Sequence, residues 1–210
     1  MSVLRNNTLF LRAVEPEDLD VLYEWENDTA LWMKGDTINP YSRFTIKMYI
    51  ERSICENALE LGQMRLMICL AGSGSVIGMI DIFDIDTING KAALGLLIDG
   101  KYRGNGYSAM SLDLACSYAG EVLMLHQLYA QIAVDNAHCI KCFERNGFVR
   151  SGILKDWKRF RHGYTDVFVY QKFFSVLHGR QLSLYGPGIG HHEEYPSPSV
   201  MTAFDTNGLL

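Results

Sequence analysis

The run Leu94-Gly95-Leu96-Leu97-Ile98-Asp99-Gly100-Lys101-Tyr102-Arg103-Gly104-Asn105-Gly106-Tyr107-Ser108-Ala109 carries the densest chemical signal in the chain. It reads as a strand, a short loop, a glycine turn and the start of a helix. Glycine at 104 and 106 lets the backbone take left-handed angles and lets a ligand come close. The first N–H groups of the following helix have no intrahelical partner and converge on one spot. Together with the helix dipole they form an anion site suited to a pyrophosphate. Arg103 adds positive charge beside it, and Ser108 is small enough to leave the turn open. A plain glycine-rich strand-to-helix connection is the bland alternative.

Gly104-x-Gly106-x-x-Ala109 also fits the dinucleotide-binding fingerprint, which would make the chain a nicotinamide-dependent oxidoreductase. Three features oppose that reading. Several elements precede the motif, Asp99 to Arg103 separate the strand from the first glycine, and Asp135 lies too far on to hold a ribose.

Other residues with chemical potential are weaker. Cys139-Ile140-Lys141-Cys142 is half of a four-thiolate zinc site, and a second pair is absent from the sequence. It reads as helix packing. His191-His192 lacks further fixed ligands, so no metal site is expected.

The elements that must position the loop follow from periodicity. Residues 8–14 form a first strand, and Glu15-Pro16-Glu17-Asp18 opens a helix. A second helix is expected from Phe44 to Leu61, ended by Gly62. Strands follow at 65–71, 76–83 and 92–98, joined by Gly72-Ser73-Gly74-Ser75 and Asn89-Gly90 turns. A helix runs from Tyr107 to about Val122, a strand from Leu128 to Val134, and a short helix from Ala137 to Arg145, closed by Asn146-Gly147. A final strand pair, 148–154 and 166–174, turns at His162-Gly163. The order β-α-α-β-β-β-α-β-α-β-β predicts an α/β fold, a mixed sheet with helices on its faces. Residues 1–174 are expected to form one domain. Residues 175–210, with Gly186-Pro187-Gly188 and Pro196-Ser197-Pro198, lack periodicity and read as a flexible tail.

A net charge of −5 argues against a nucleic-acid binder. The N-terminus lacks the apolar core of a signal peptide, and the apolar runs are strand-sized, which predicts no membrane partner. Five cysteines, an odd number, fit reduced thiols in a cytoplasmic protein.

With these residues in place, the chain resembles the GNAT superfamily of N-acetyltransferases, in its RimJ/RimL and spermidine acetyltransferase branch. Arg103-x-x-Gly106-x-Ser108 is similar to that family's Q/R-x-x-G-x-G/A motif. Asn136 and the helix ending Phe143-Glu144-Arg145-Asn146-Gly147-Phe148 resemble its N-x-x-x-x-x-x-Y/F-x-x-x-G-F segment, and Gly163-Tyr164-Thr165-Asp166-Val167 resembles its closing hairpin. The likeness spans residues 8–174.

The resemblance implies a mostly antiparallel sheet with a V-shaped splay between two parallel central strands, and acetyl-CoA as cosubstrate within that splay. Leu96, Leu97 and Ile98 would pair with the pantetheine arm. Backbone N–H groups of Arg103, Gly104, Asn105, Gly106, Tyr107 and Ser108 would hold the pyrophosphate, and Asn136 and Phe143 would line the arm. A primary amine would then attack the thioester directly, the acceptor being a polyamine, a protein N-terminus or another small amine. Phe143 stands where the branch often has a tyrosine acid, and it cannot donate a proton. Tyr164 or a water is the substitute acid, and Asp81 or Asp84 the base. Acidic Glu24, Glu26, Asp28 and Asp36 lie where the branch admits acceptors, and Trp25, Trp32 and Trp157 either line that pocket or fill the core. The missing tyrosine motivates a second reading, a non-catalytic acyl-CoA sensor. Relatives that pair allow a homodimer, although the sequence shows no separate interface signature.

Overall fold

The computed structural model describes residues 2–32, 39–160 and 163–174. Seven strands form one sheet in the order β1-β2-β3-β4-β5-β7-β6. They are β1 (Leu9–Ala13), β2 (Gln63–Leu70), β3 (Val76–Asp86), β4 (Lys91–Ile98), β5 (Gln127–Ala133), β6 (Val149–Phe160) and β7 (Gly163–Phe173). The helices are α1 (Leu19–Glu26), α2 (Thr29–Trp32), α3 (Arg43–Cys55), α4 (Ala58–Leu61), α5 (Tyr107–Glu121) and α6 (Ala137–Arg145). All neighbouring strands are antiparallel except β4 and β5. A dinucleotide-binding fold needs an open, mostly parallel sheet, so this topology removes that reading of the glycine loop.

Two apolar clusters hold the sheet between helices. One joins Ile80, Ile82, Leu94, Leu128 and Ile132 to Leu112, Ala115 and Ala119 of α5 and Phe143 of α6. The other joins Met67, Cys69 and Met79 to Leu22 and Trp25 of α1 and Ile46 and Ile50 of α3. The small Ala115 and Ala119 let α5 lie close against the strands. α5 is also the crossover that parallel β4 and β5 require.

The start of α1 is fixed by ionic contacts. Glu15 N–H donates to Asp18 Oδ2 at 2.9 Å, and Arg12 grips both oxygens of the buried Asp18 at 2.6 and 2.8 Å. The helix expected from Phe44 to Leu61 is instead two helices. Glu56 leaves α3 in an extended conformation, and the Asn57 side chain accepts the Leu59 N–H to start α4. The last hairpin is longer than its periodicity suggests. β6 runs on to Phe160 because register shifts, with Asp156 at φ +47°, break the alternation that marks a strand. The expected turn at His162, the tail from residue 175 and the loop acid Asp36 lie outside the described residues. Among the described residues no helix is long and apolar enough to cross a membrane.

Candidate active site

β4 and β5 pair at only three positions: Lys91 with Gln127, Ala92 with Leu128, and Ala93 with Tyr129. Beyond these, Leu94 to Ile98 keep antiparallel partners on β3, and Ala130 to Ala133 keep theirs on β7. Their facing edges have no strand register with each other. The sheet therefore splits into a V whose apex is Ala93 with Tyr129. Backbone N–H and C=O groups inside a sheet need partners. An extended molecule lying in the gap can supply them in the manner of an added strand. At the mouth, Arg103 Nε already donates to the Ile98 carbonyl at 2.9 Å.

The glycine loop stands at that mouth. A single 3-10 turn, Gly100–Tyr102, follows β4, with Asp99 Oδ1 accepting the Lys101 N–H at 3.0 Å. Gly104 and Gly106 sit at φ +83° and +76°, the left-handed region that glycine enters without strain. Asn105 Nδ2 donates to the Tyr102 carbonyl at 3.1 Å and holds the loop in shape. Arg103, Gly104, Asn105 and Gly106 are exposed, and Gly106 caps α5 with no side-chain bond to its first N–H groups. Met110 N–H is the donor that reaches back to Gly106 O, so the N–H groups of Tyr107, Ser108 and Ala109 lie ahead of the helical ladder. That arrangement is an anion site at a helix N-terminus.

A cavity of about 380 Å³ is lined by Tyr49, Met64, Arg65, Asp81, Phe83 and Asp84 among others. Arg65 dominates its electrostatics. Its guanidinium holds Asp81 bidentately at 2.6 and 3.0 Å and reaches Glu26 of α1 at 2.5 Å. Burial opposes the charge on Arg65, but the two carboxylates outweigh it and raise its pKa further above the ordinary arginine range. Asp84 lies at φ +50° where the register of β3 with β4 shifts. Strict alternation would point it away from Asp81 and Phe83, yet all three line the same cavity. Across the sheet, Tyr129 of β5 donates its hydroxyl to Asp84 Oδ2 at 3.2 Å.

The residues expected from sequence fall into three groups. Leu96, Leu97 and Ile98 occupy the splayed half of β4, and residues 103–108 form the mouth. Asn136, Asp81 and Phe143 have other partners. Asn136 Oδ1 caps α6 by accepting the Cys139 N–H at 3.3 Å. Both oxygens of Asp81 are held by Arg65. Phe143 is 2% exposed and packs edge-on against Phe148 with centroids 4.8 Å apart. Tyr164 stands apart, 65% exposed. It lies on the part of β7 that has run past the end of β5, since Val167 already pairs with the last residue, Ala133.

The acidic group near α1 is divided between two places. Glu26 belongs to the Arg65 cluster. Glu24 and Asp28 line a smaller cavity of about 140 Å³ with Trp25, Leu97 and Arg103. Trp25 is buried in the core against α3, Trp32 donates to the Glu26 carbonyl at 2.7 Å, and Trp157 on β6 donates to Gln131 Oε1 at 3.2 Å. Cys139 and Cys142 are free thiols packed against the α5 core, as helix packing requires.

Sequence reasoning did not single out Arg65 or Tyr129. A lone arginine inside the apolar run Met64 to Leu70 is a signal for the first. Nothing local marks the second.

The comparisons with known proteins agree with this geometry. Residues 8–149 match the family model described as an acetyltransferase (GNAT) domain. The chain is 26% identical over 166 residues to the spermidine N(1)-acetyltransferase of Vibrio cholerae serotype O1, covering 77% of this chain and 91% of that protein. It is 26% identical over 169 residues to the ribosomal-protein-serine acetyltransferase of Escherichia coli strain K12, covering 80% and 93%. The crystal structure of the Vibrio cholerae spermidine N-acetyltransferase in complex with CoA and spermine superposes with a TM-score of 0.73 at 25% identity, covering 80% of this chain and 96% of that one. With the split sheet, the exposed glycine loop and the matched domain together, the chain belongs to the GNAT family and is an acetyl-CoA-dependent N-acetyltransferase.

Proposed function

We propose that residues 1–174 form the catalytic domain and that acetyl-CoA lies in the splay between β4 and β5, with its pyrophosphate on the 103–108 loop. The observation that carries this reading is the end of pairing at Ala93 with Tyr129, next to a helix start whose N–H groups no side chain caps. Leu96, Leu97 and Ile98 offer the ladder for the pantetheine arm. Arg103 to Ser108 offer N–H groups and charge for the pyrophosphate. Asn136 borders the arm from α6, while Phe143, buried against Phe148, supports that helix from the core instead of lining the arm. Acetyl-CoA is the cosubstrate, and no metal takes part.

The acceptor is a small cationic primary amine of the polyamine kind. The 380 Å³ cavity supports this, because Asp81 and Asp84 line it beside one lining cation, Arg65, and Glu26 pairs with that same Arg65 from α1. The cluster is therefore net acidic and favours a cation. A relative named as a spermidine acetyltransferase supports the same choice. The other amine class, protein N-termini, is represented by the ribosomal-protein-serine acetyltransferase. The enzyme works in the cytoplasm, as a homodimer, without nucleic-acid or membrane partners.

Positioning and desolvation supply most of the rate, since direct attack needs a neutral amine held against the thioester. The test is thermal stabilisation by acetyl-CoA, CoA and NAD, followed by turnover against spermidine, spermine and a peptide with an N-terminal serine. Stabilisation by CoA but not NAD, with turnover fastest on the polyamines, is expected. Preference for the peptide would move the acceptor class, and stabilisation by NAD alone would overturn the reading.

A further inference from the structure

Phe143 leaves the leaving thiolate without its expected proton donor. Tyr164 is a poor replacement, because an exposed hydroxyl on an overhanging hairpin offers little that water does not. Asp81 is a poor base, because both its oxygens are committed to Arg65. At the apex of the splay Tyr129 is half-buried, and its partner Asp84, although exposed, is not held by Arg65. Tyr129 is the last residue of β5 to pair with β4, and its hydroxyl donates to Asp84 Oδ2 at 3.2 Å.

The backbone at Asp84 adds an independent observation. A non-glycine residue at φ +50° is uncommon, and such outliers concentrate at functional sites. Here the outlier lies at the β3 register shift and goes with the turning of Asp84 onto the cavity that Asp81 and Phe83 line. From Ile98 at the mouth to Ala93 at the apex, β4 advances five residues, roughly 16 Å at the usual strand rise. An arm entering beside the glycine loop and lying along β4 thus directs its far end toward Tyr129.

We propose that Asp84 and Tyr129 form a proton relay for acetyl transfer, with Asp84 as the base toward the amine and Tyr129 as the acid toward the thiolate. This rests on the placement of acetyl-CoA given above. A neutral amine forms the new C–N bond at the thioester carbonyl, and its nitrogen becomes positively charged. The Asp84 carboxylate takes one N–H proton. The C–S bond then breaks, sulfur leaves with the electron pair, and the Tyr129 hydroxyl protonates it. The Asp84 acid returns its proton to the Tyr129 oxyanion along the existing hydrogen bond. The amide and the free thiol are formed, and the protein ends as it began.

Burial first, and then the Asp84 charge, raises the Tyr129 pKa above the ordinary tyrosine value. The hydroxyl therefore keeps its proton at working pH, as an acid must. The other titratable or charged groups on this cavity are Arg65, Asp81 and Tyr49, and the ion pair of Lys91 with Asp86 lies just past the bulge.

The test is a double-mutant cycle with Tyr129→Phe and Asp84→Asn, reading kcat, KM for acetyl-CoA and thermal stabilisation by CoA. Phenylalanine keeps the ring, and asparagine tolerates the left-handed backbone, so both variants should fold. Each is expected to lower kcat about 100-fold, within the range for a lost acid or base. KM for acetyl-CoA and the CoA-induced shift should stay within about twofold of wild type. The double variant should be little worse than either single one, because the two groups act as a unit. Tyr129→Phe should also flatten the alkaline limb of the pH profile. Wild-type kcat in Tyr129→Phe, effects that multiply independently, or loss of the CoA shift in Tyr129→Phe alone would each overturn the relay. A wild-type chain that is not stabilised by CoA would instead overturn the placement of the coenzyme.

Discussion

Ala93 and Tyr129 are the last residues at which the two parallel strands of this sheet remain paired. Everything proposed about catalysis depends on that point. Above it the sheet opens toward the glycine loop. Beside it lie the bulge at Asp84 and the cavity lined by Arg65.

Gly106→Val should remove coenzyme binding while sparing the fold. A side chain at φ +76° costs about 1–2 kcal/mol in backbone strain. A Cβ there would meet only Met110 Cε, at 3.7 Å, so nothing in the core is displaced. The chain relieves the strain by moving the turn, and the N–H groups lose their common aim. The measurement is CoA-induced thermal stabilisation: a small fall in the Tm of the free protein and no shift on adding CoA are expected.

Arg65 should matter for stability out of proportion to its size. It is the only cation joining Glu26 of α1 to Asp81 of β3 among the described residues, and all three side chains are largely shielded from water. Replacing it with methionine strands two carboxylates and should cost about 3 kcal/mol or more. Arg65→Lys keeps the charge but loses the fork, and should fall between. Urea denaturation at pH 7 measures both; Arg65→Met at wild-type stability would show that the cluster is better solvated than its burial indicates.

Phe143→Tyr should cost stability. The ring is buried against Phe148, so a hydroxyl added there enters an apolar core. An unpartnered buried hydroxyl costs about 1–3 kcal/mol. Denaturation of the variant measures the cost. A rise in kcat with no loss of stability would show that position 143 reaches the reacting atoms and would favour a side chain that turns toward the coenzyme.

Alkaline pH should weaken the fold through two thiols. Burial pushes both Cys116 and Cys139 up to about 11 from an ordinary value near 9; Cys142 adds to the effect at Cys139, and Lys172 opposes it at Cys116. The folded protein thus holds these protons more tightly than the unfolded chain does. Their contribution is fully present below about pH 9 and is lost as pH rises toward 11. Between pH 7.5 and 10 the loss is about 1 kcal/mol per thiol. The raised tyrosines Tyr49, Tyr118, Tyr129 and Tyr170 act in the same direction at higher pH. Urea denaturation in reductant at both pH values should show a smaller drop in a Cys116→Ala, Cys139→Ala variant than in wild type.

Much of this was legible in the sequence, and the limits have physical causes. The glycine turn, α5, α6 and the succession of strands along the chain follow from local signals, because turns, caps and periodicity act over a few residues. The pairing of β2 with β3, which carry Arg65 and Asp81, was also within reach. The hairpin turning at Gly72 to Ser75 brings these strands together, although the turn register alone would set Arg65 opposite Ile80, and the bulge between Ile68 and Cys69 shifts its partner by one residue to Asp81. The contact of Asp84 with Tyr129 was not, because it needs a bulge that breaks alternation and a strand 45 residues away. The length of the final hairpin was hidden for the same reason: its bulges interrupt the period by which a strand is read.

Amide hydrogen exchange with and without CoA addresses the coenzyme's place in the splay most directly. If the arm pairs with β4 and the pyrophosphate rests on the start of α5, protection should rise at Leu94 to Ile98 and at Gly104 to Ala109, with little change along β1 and β2. Binding of CoA without protection in either stretch, or with protection confined to another face of the sheet, would contradict it.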